Sequence, residues 1–151
     1  MPNSKEPIGL LRHDGKRPDA ATFLPWTRGR PLVWDVTVPG TFAASNIQFT
    51  SSSACAAADK AAVSKTAKYV ELTSTHHFVP IAVETSGAGC PQSAEFIEEL
   101  GRRISTITNE PLETTYLFQR LSITLQRGNA VALRNTFSET KFFPSAVHLK
   151  R

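Results

Sequence analysis

The sequence predicts a small α/β or α+β domain, and three patterns support that prediction. A strand–turn–strand pattern covers residues 20–38, a helical pattern covers 59–72, and one more strand and two helices occupy 77–134. This order of elements suits a small mixed sheet flanked by helices. The 151 residues are enough for one domain, since a chain of this size buries about two-thirds of its unfolded surface.

Composition excludes several classes of protein. The two cysteines, Cys55 and Cys90, are too few for a disulfide scaffold, and no Cys/His group has the spacing of a zinc site. No apolar run approaches the roughly 18 residues of a membrane span. The N-terminal residues lack the apolar stretch of a signal peptide. We therefore expect an intracellular protein from a reducing compartment, with no membrane segment.

Charge and pattern together divide the chain. Residues 1–8 are expected to be a flexible arm, 9–137 the domain, and 138–151 a tail without a clear period. The net charge is +4, and residues 101–151 carry eight basic against three acidic side chains. An excess of this size is compatible with a polyanionic partner but is weak evidence for one.

The predicted hairpin has strands at residues 20–26 and 32–38, joined by a turn-like segment at 27–30. The second strand is dense in β-branched and aromatic residues, which favour extended backbone. Side chains alternate along a strand, so Asp35 and Thr37 fall on the same face.

Hydrophobic spacing and proline positions predict the remaining elements. Residues 59–72 form a helix, and Pro80 makes the strand at 77–85 either an edge strand or a weaker prediction, because proline donates no ladder hydrogen bond. An amphipathic helix follows Pro91, and a last helix covers 113–134. In the first helix, the side chains expected to be buried are Ala61, Ala62, Val63, Ala67 and Val70. The apolar stripe of the second helix is Phe96, Ile97, Leu100, Ile104 and Ile107.

Two carboxylates on the predicted hairpin form the sharpest local feature. Fifteen residues separate Asp19 from Asp35, so the folded hairpin puts Asp19 opposite Asp35 or one residue beyond it. Neighbouring carboxylates repel, and a divalent cation between them removes the conflict. Magnesium accepts one or two carboxylates, carbonyls and waters, and leaves positions for a phosphate. The alternative is that Asp19 caps a turn and Asp35 is an exposed strand residue.

Two lysines on the following helix are candidates for a role beside such a metal. Lys65 and Lys68 are three residues apart and share a helix face. A lysine at a metal-bound water can orient it or stabilise charge in a phosphoryl transition state. The alternative is an ordinary solvated face of a helix.

Five pieces, in this order along the chain, resemble one family: KRPD at 16–19, RPLVWDVT at 30–37, Lys65 with Lys68 and Tyr69, HHFVPIAVETSG at 76–87, and QRGNA at 126–130. They look like the C-terminal restriction-like endonuclease domain of LINE-type (non-LTR) retrotransposon polyproteins, here as a stand-alone fragment. The resemblance covers residues 9–137 and implies a PD-(D/E)XK nuclease core, with a small mixed sheet and a helix packed after the catalytic hairpin. Whether the first helix and strand of that core are present is left open.

The resemblance implies magnesium- or manganese-dependent hydrolysis of one DNA strand, which exposes a 3′-hydroxyl for target-primed reverse transcription. Asp19 matches the Pro-Asp carboxylate of the motif, and Asp35 matches the second metal ligand. The carbonyl of Val36 is a candidate third ligand. Partners implied by the family are DNA and, in the parent polyprotein, a reverse transcriptase domain, and the implied place of work is the nucleus.

The sequence departs from the general nuclease pattern at Thr37, where a lysine is usual. Domains of this retroelement type resemble a variant whose lysine comes from the following helix, so Lys65 or Lys68 fills the role, and Lys68 with Tyr69 is the better motif match. Glu84 and Tyr69 are candidates for additional site residues.

Five arginines are candidate DNA-phosphate contacts: Arg28 and Arg30 at the hairpin tip, and Arg120, Arg127 and Arg134 at sevens along the last helix. Two other interpretations of the sequence remain besides the endonuclease. One is a catalytically inactive DNA-binding or structural remnant of a retrotransposon, and the other is a small α/β protein-interaction module.

Overall fold

A mixed four-stranded sheet and its helices make up the part of the chain described by the computed structural model, which is residues 3–5, 7, 10 and 17–139. The strands are β1 (Asn3–Lys5), β2 (Ala20–Thr27), β3 (Arg30–Thr37) and β4 (His77–Ala82). The helices are α1 (Ile47–Thr50), α2 (Ala56–Lys68), α3 (Pro91–Thr108) and α4 (Glu113–Glu139), and a 3₁₀ turn, Val70–Ser74, follows α2. The mixed α/β class predicted from the sequence is confirmed.

The sheet has the strand order β1-β2-β3-β4. β1 pairs antiparallel with β2, and β2 pairs antiparallel with β3, whereas β3 and β4 are parallel. Parallel neighbours need a crossover connection, and α2 lies within it. Because β4 is the last strand of this order, Pro80 lies on an edge strand, as the sequence predicts.

The predicted hairpin is confirmed, and its turn is tighter than expected. Only Arg28 and Gly29 separate the strands, and both have left-handed backbone, with φ of 47° and 75°. Two positive φ angles are typical of the two-residue turns that match strand twist. The register is irregular between Ala21 and Pro25, where the Leu32 amide donates to the Thr22 hydroxyl at 2.9 Å.

The two faces of the sheet pack against different helices. On one face, Trp26, Leu32 and Val79 form a buried cluster with Phe96 and Leu100 of α3. On the other face, a second cluster joins α2 to the end of β4, and its members are Ala58, Ala62, Ala82 and Cys90. Asp35 and Thr37 share a strand face, and that face is turned toward α2.

The face of α2 that packs on the sheet differs from the prediction. The helix begins three residues earlier and ends four residues earlier than predicted. Its inward side chains include Ala58, Ala62 and Lys65, and Tyr69, just past its last residue, continues the same stripe. The prediction of burial was wrong for Val63, Ala67 and Val70, which are exposed. Alanine occurs on every side of this helix, so apolar spacing alone does not distinguish its faces.

The last two helices agree with the prediction more closely. In α3, Ile97 is buried and Phe96 and Leu100 pack on the core, but Ile107 at the end of the stripe is 80% exposed. The helix predicted over 113–134 is confirmed and continues to Glu139. No helix in the described ranges is both long and apolar enough to cross a bilayer.

The chain ends bear on the predicted arm and tail. Residues 3–5, assigned to the flexible arm, form strand β1 against residues 20–22 of β2. Residues 138 and 139, assigned to the tail, belong to α4. The rest of the tail, 140–151, lies outside the described residues.

Candidate active site

Asp35 is a buried carboxylate paired with a lysine. It lies near the carboxyl end of β3, and its side chain is only 5% exposed. Lys65 Nζ of α2 donates to Asp35 Oδ2, and the lysine side chain is 25% exposed. Removing a carboxylate from water is costly unless a charge and a donor compensate it. Lys65 supplies both while remaining in contact with solvent.

Asp19 immediately precedes the neighbouring strand, β2. Ala20 pairs with Trp34, so continuing the register puts Asp19 opposite Asp35. The Val36 amide donates to Asp19 Oδ2 at 2.7 Å. Asp19 is exposed, and Oδ1 accepts no hydrogen bond from the described part of the chain. The strand register therefore puts the backbone of Asp19 opposite that of Asp35.

Tyr69 holds the chain immediately before Asp19. Its hydroxyl donates to the Arg17 carbonyl at 2.9 Å, and its buried ring lies 5.1 Å from the ring of Phe78 between centroids. Pro18, between Arg17 and Asp19, is fully buried. Tyr69 therefore contributes to the site by fixing backbone, with its hydroxyl directed at Arg17.

The two candidate lysines are in different surroundings. Whereas Lys65 reaches Asp35, Lys68 Nζ lies 4.4 Å from the centroid of the Tyr69 ring, a cation–π contact. The structure thus brings Lys65 to Asp35 and Lys68 to the aromatic residue that follows it in the chain. The motif match that favoured Lys68 carries no information on which lysine faces the sheet.

Glu84 and Thr37 make contacts of other kinds. Glu84, the largest buried acid of the described residues, directs Oε1 at the first turn of α2, where it accepts from the amides of Ala57 at 2.9 Å and Ala58 at 3.3 Å. Thr37, at the position of the usual lysine, accepts from the Val83 amide through its carbonyl at 3.2 Å. The Glu84 carboxylate is thus hydrogen-bonded to the N-terminus of helix α2.

The candidate metal ligands predicted from the sequence are two carboxylates and one carbonyl. In residues 3–5, 7, 10 and 17–139 no group of three or more His, Cys, Asp or Glu side chains is arranged to hold a metal. Asp19, Asp35 and the Val36 carbonyl offer oxygen atoms only. Magnesium is commonly held by one or two carboxylates with water and substrate phosphate as the other ligands, and manganese accepts the same donors.

The hairpin-tip arginines lie at the other end of the sheet from the carboxylates. Arg30 is five residues from Asp35 along β3, about 16 Å at ~3.3 Å per residue. The Arg30 guanidinium donates to the Thr73 carbonyl at 2.9 Å. Arg28 is exposed in the turn. These side chains are therefore not brought into the carboxylate site.

The arginines of α4 are exposed along one continuous helix: Arg120, Arg127 and Arg134. Asn129 ties this helix to the loop after β4, because its Nδ2 donates to the Thr85 carbonyl at 2.7 Å. Thr85 follows the end of β4 that pairs with Thr37. The middle of α4 is thus held at the same end of the sheet as Asp35.

An apolar groove was missed by the sequence analysis. It has a volume of about 780 Å³ and lies between the sheet, α3 and α4. Its walls include Trp34, Val36, Ile81, Ile104, Leu121 and Leu125. Apolar residues on several sides of α4 were the available signal, because a helix packed on only one side needs only one apolar stripe.

Comparisons with protein-family models, with curated proteins and with solved structures find no match for this chain.

Proposed function

We propose that this chain is a magnesium-dependent DNA endonuclease domain of the restriction-like PD-(D/E)XK type, or a remnant of one. The observation that carries the proposal is the ion pair between Lys65 and Asp35 beside Asp19, at the end of a β-hairpin. Two carboxylates can hold the metal ion that assists phosphodiester hydrolysis, and a lysine can stabilise the charge that develops on the phosphate.

The connection between the elements supports the same proposal. The family resemblance implies a small mixed sheet with a helix packed after the catalytic hairpin. Here β2 and β3 form a hairpin, α2 follows and packs on the sheet, and β4 returns parallel to β3. Strand β3 has Thr37 where a lysine is usual. In this order of elements, a lysine from α2 can take the role of that missing lysine.

The chain's own groups have separate roles in the proposed reaction. Mg²⁺, when bound, lowers the pKa of a bound water and neutralises charge on the scissile phosphate. Asp19 and Asp35, with the Val36 carbonyl, would hold it. Lys65 neutralises Asp35 until substrate enters, and its partly exposed ammonium then orients the attacking water and stabilises charge on the phosphate. Its contact with Asp35 makes it the stronger candidate than Lys68.

DNA is expected to lie across the end of the sheet that carries Asp35. Arg120 and Arg127 of α4 are candidate phosphate contacts at this end of the sheet, because Asn129 ties the helix to Thr85 there. Arg28 and Arg30 would contact backbone farther along the duplex. Each lost contact should weaken binding and reduce its salt dependence.

The test is nicking of supercoiled plasmid by the purified full chain with Mg²⁺. We expect open-circular product that disappears with EDTA and with Asp35→Asn. Asp59→Asn is the matched control, because Asp59 is an exposed acid on α2 away from the inward stripe. Activity that survives EDTA or Asp35→Asn would reject the proposal.

A second candidate is an inactive remnant that keeps the fold and binds DNA. The observation in its favour is Thr37, which leaves β3 without the usual lysine, together with a site to which the described residues bring two carboxylates and no third. A folded protein that shifts DNA in a gel but never nicks it would favour this candidate. The apolar groove supports the remaining candidate, a protein-interaction module, which predicts neither nicking nor DNA binding.

A further inference from the structure

Helix α2 begins without a cap of its own. Helix N-termini leave backbone amides unsatisfied, and Ser, Thr, Asp or Asn usually covers them. Here the N-cap residue is Cys55, which has a left-handed φ of 67° and makes no side-chain capping hydrogen bond. The partner of these amides comes instead from Glu84, 27 residues farther along the chain from Ala57.

Burial and backbone hydrogen bonds hold Glu84 in place at the end of the sheet. The side chain is 1% exposed, and the backbone around it is bonded on both sides: Val83 N donates to Thr37 O at 3.2 Å, and Glu84 N donates to Ala88 O at 2.7 Å. In the described part of the chain no basic side chain is paired with Glu84. Its Oε1 atom instead accepts from two amides at the N-terminus of α2, where the helix dipole is positive.

The same helix carries Lys65 to the site. Lys65 is eight residues from Ala57, about 12 Å along the helix axis at ~1.5 Å per residue. A slip of the helix by one residue would turn Lys65 by about 100° away from the sheet. The register of α2 against the sheet therefore decides whether the ammonium reaches Asp35.

Other contacts of α2 with the sheet do little to set that register. Ala58 and Ala62 pack closely, but methyl groups set the distance between helix and sheet more than the position along the axis. Apart from the Lys65–Asp35 pair, the directional contacts that α2 makes within the described part of the chain are the Glu84 bonds at its first turn and the Tyr69–Arg17 bond just past its last turn. Lys65 lies between these two fixed ends.

We propose that Glu84 is a positioning residue, which sets α2 on the sheet so that Lys65 meets Asp35. The effect of Glu84 on catalysis rests on the proposed function. The structural coupling between Glu84 and Lys65 through the helix does not rest on it.

The first measurement is a double-mutant cycle in urea unfolding at neutral pH. The variants are Glu84→Gln, Lys65→Met and the two combined. We expect Lys65→Met to raise the unfolding constant at least tenfold in the wild-type background and less than threefold beside Glu84→Gln. A cap with a merely structural role predicts equal factors in both backgrounds, and that result would overturn the proposal.

The second measurement observes the contact itself. In ¹⁵N NMR spectra, the Lys65 ammonium should give a slowly exchanging signal in the wild type that disappears in Glu84→Gln and returns in part in Glu84→Asp, which keeps the charge. If Glu84→Gln fails to fold, Glu84→Asp takes its place in the cycle. An unchanged Lys65 signal in whichever folded variant is used contradicts the proposal. Ser86→Ala, which removes only a 3.5 Å contact to the same carboxylate, is the control and should behave like the wild type.

Nicking distinguishes failure of this inference from failure of the proposed function. If the wild type nicks, Glu84→Gln should lower kcat at least tenfold with KM for plasmid changed less than twofold, because DNA contacts are untouched. Full kcat in Glu84→Gln would overturn the positioning role. If the wild type never nicks, the cycle and the Lys65 signal still decide for or against the coupling.

Discussion

Lys65 of α2 and Asp35 of β3, thirty residues apart in the chain, form an ion pair at the edge of the buried core. The carboxylate is almost entirely removed from water, while the lysine side chain keeps a quarter of its surface exposed. The buried Asp35 carboxylate therefore depends on the Lys65 ammonium to compensate for its removal from water. The pair is in contact with solvent through Lys65. Asp19 immediately precedes the adjacent strand, β2, and accepts a hydrogen bond from the amide of Val36, the residue after Asp35.

The two lysines of α2 should differ sharply in nicking. We expect Lys65→Met to lower the nicking rate about 100-fold or more, a loss typical of removing one group that stabilises transition-state charge. Lys68→Met should stay within about threefold of the wild type, because Lys68 contacts the Tyr69 ring and not a carboxylate. Initial rates on supercoiled plasmid measure both. Equal losses in the two variants would contradict the assignment of Lys65.

The same pair makes a prediction about stability that does not depend on activity. Lys65→Met leaves the buried Asp35 carboxylate without its counter-charge, and we expect a loss of about 2 kcal/mol in the free energy of unfolding, below the range for fully buried pairs because Lys65 is partly exposed. Adding Asp35→Asn should recover most of that loss, since no unpaired charge then remains. Urea unfolding at pH 7 measures all three variants. A double variant less stable than Lys65→Met would show that the pair is not the relevant interaction.

Packing between α3 and α4 depends on Gly101. A Cβ at this position would lie 2.7 Å from the Thr114 Cα, a backbone atom that cannot move aside without shifting the helix. We expect Gly101→Ala to destabilise the protein by about 1–3 kcal/mol. Gly128→Ala is the matched control, because Gly128 is also inside a helix but has nothing within 4 Å of its Cβ position. That change should stabilise the protein by about 0.5–1 kcal/mol. Thermal unfolding measures both variants. If both substitutions changed the stability in the same direction, the packing argument would be wrong.

Stability should depend on pH through Glu99. Hydrogen bonds from Arg102, and then from Arg103, lower the pKa of Glu99 from 4.5 to about 2. A carboxyl whose pKa is lower in the folded state stabilises the protein above its unfolded pKa, and this contribution is lost as pH falls from about 4.5 to about 2. The group is one-third exposed, so solvent screening keeps the effect below about 1 kcal/mol.

The comparison that isolates this effect is wild type against Glu99→Gln. We expect the variant to be less stable at pH 7 and the difference to vanish near pH 2. Added salt should shrink the difference at pH 7, since the ion pairs are exposed to solvent. A difference that persists at pH 2 would assign the loss to packing instead of charge.

Elements with local causes were predictable from the sequence. The hairpin follows from two β-rich segments around a turn containing Gly29, and the edge position of β4 follows from the missing amide of Pro80. The start of α3 follows from Pro91, which suits a first helical position. Proximity of Asp19 to Asp35 was also predictable, because a tight turn fixes which residues face each other across the hairpin.

Contacts between distant elements were decided by the tertiary structure alone. Residues 65 and 68 are both lysines. The rotation of α2 about its axis decides that Lys65 pairs with Asp35 and that Lys68 lies over the Tyr69 ring. That rotation was hidden by alanines on all sides of α2. Glu84 reaches amides 27 residues earlier in the chain, a contact that no local pattern records. Local propensity thus determined the hairpin, the edge strand and the last two helices, whereas side-chain packing between elements selected which charged groups meet.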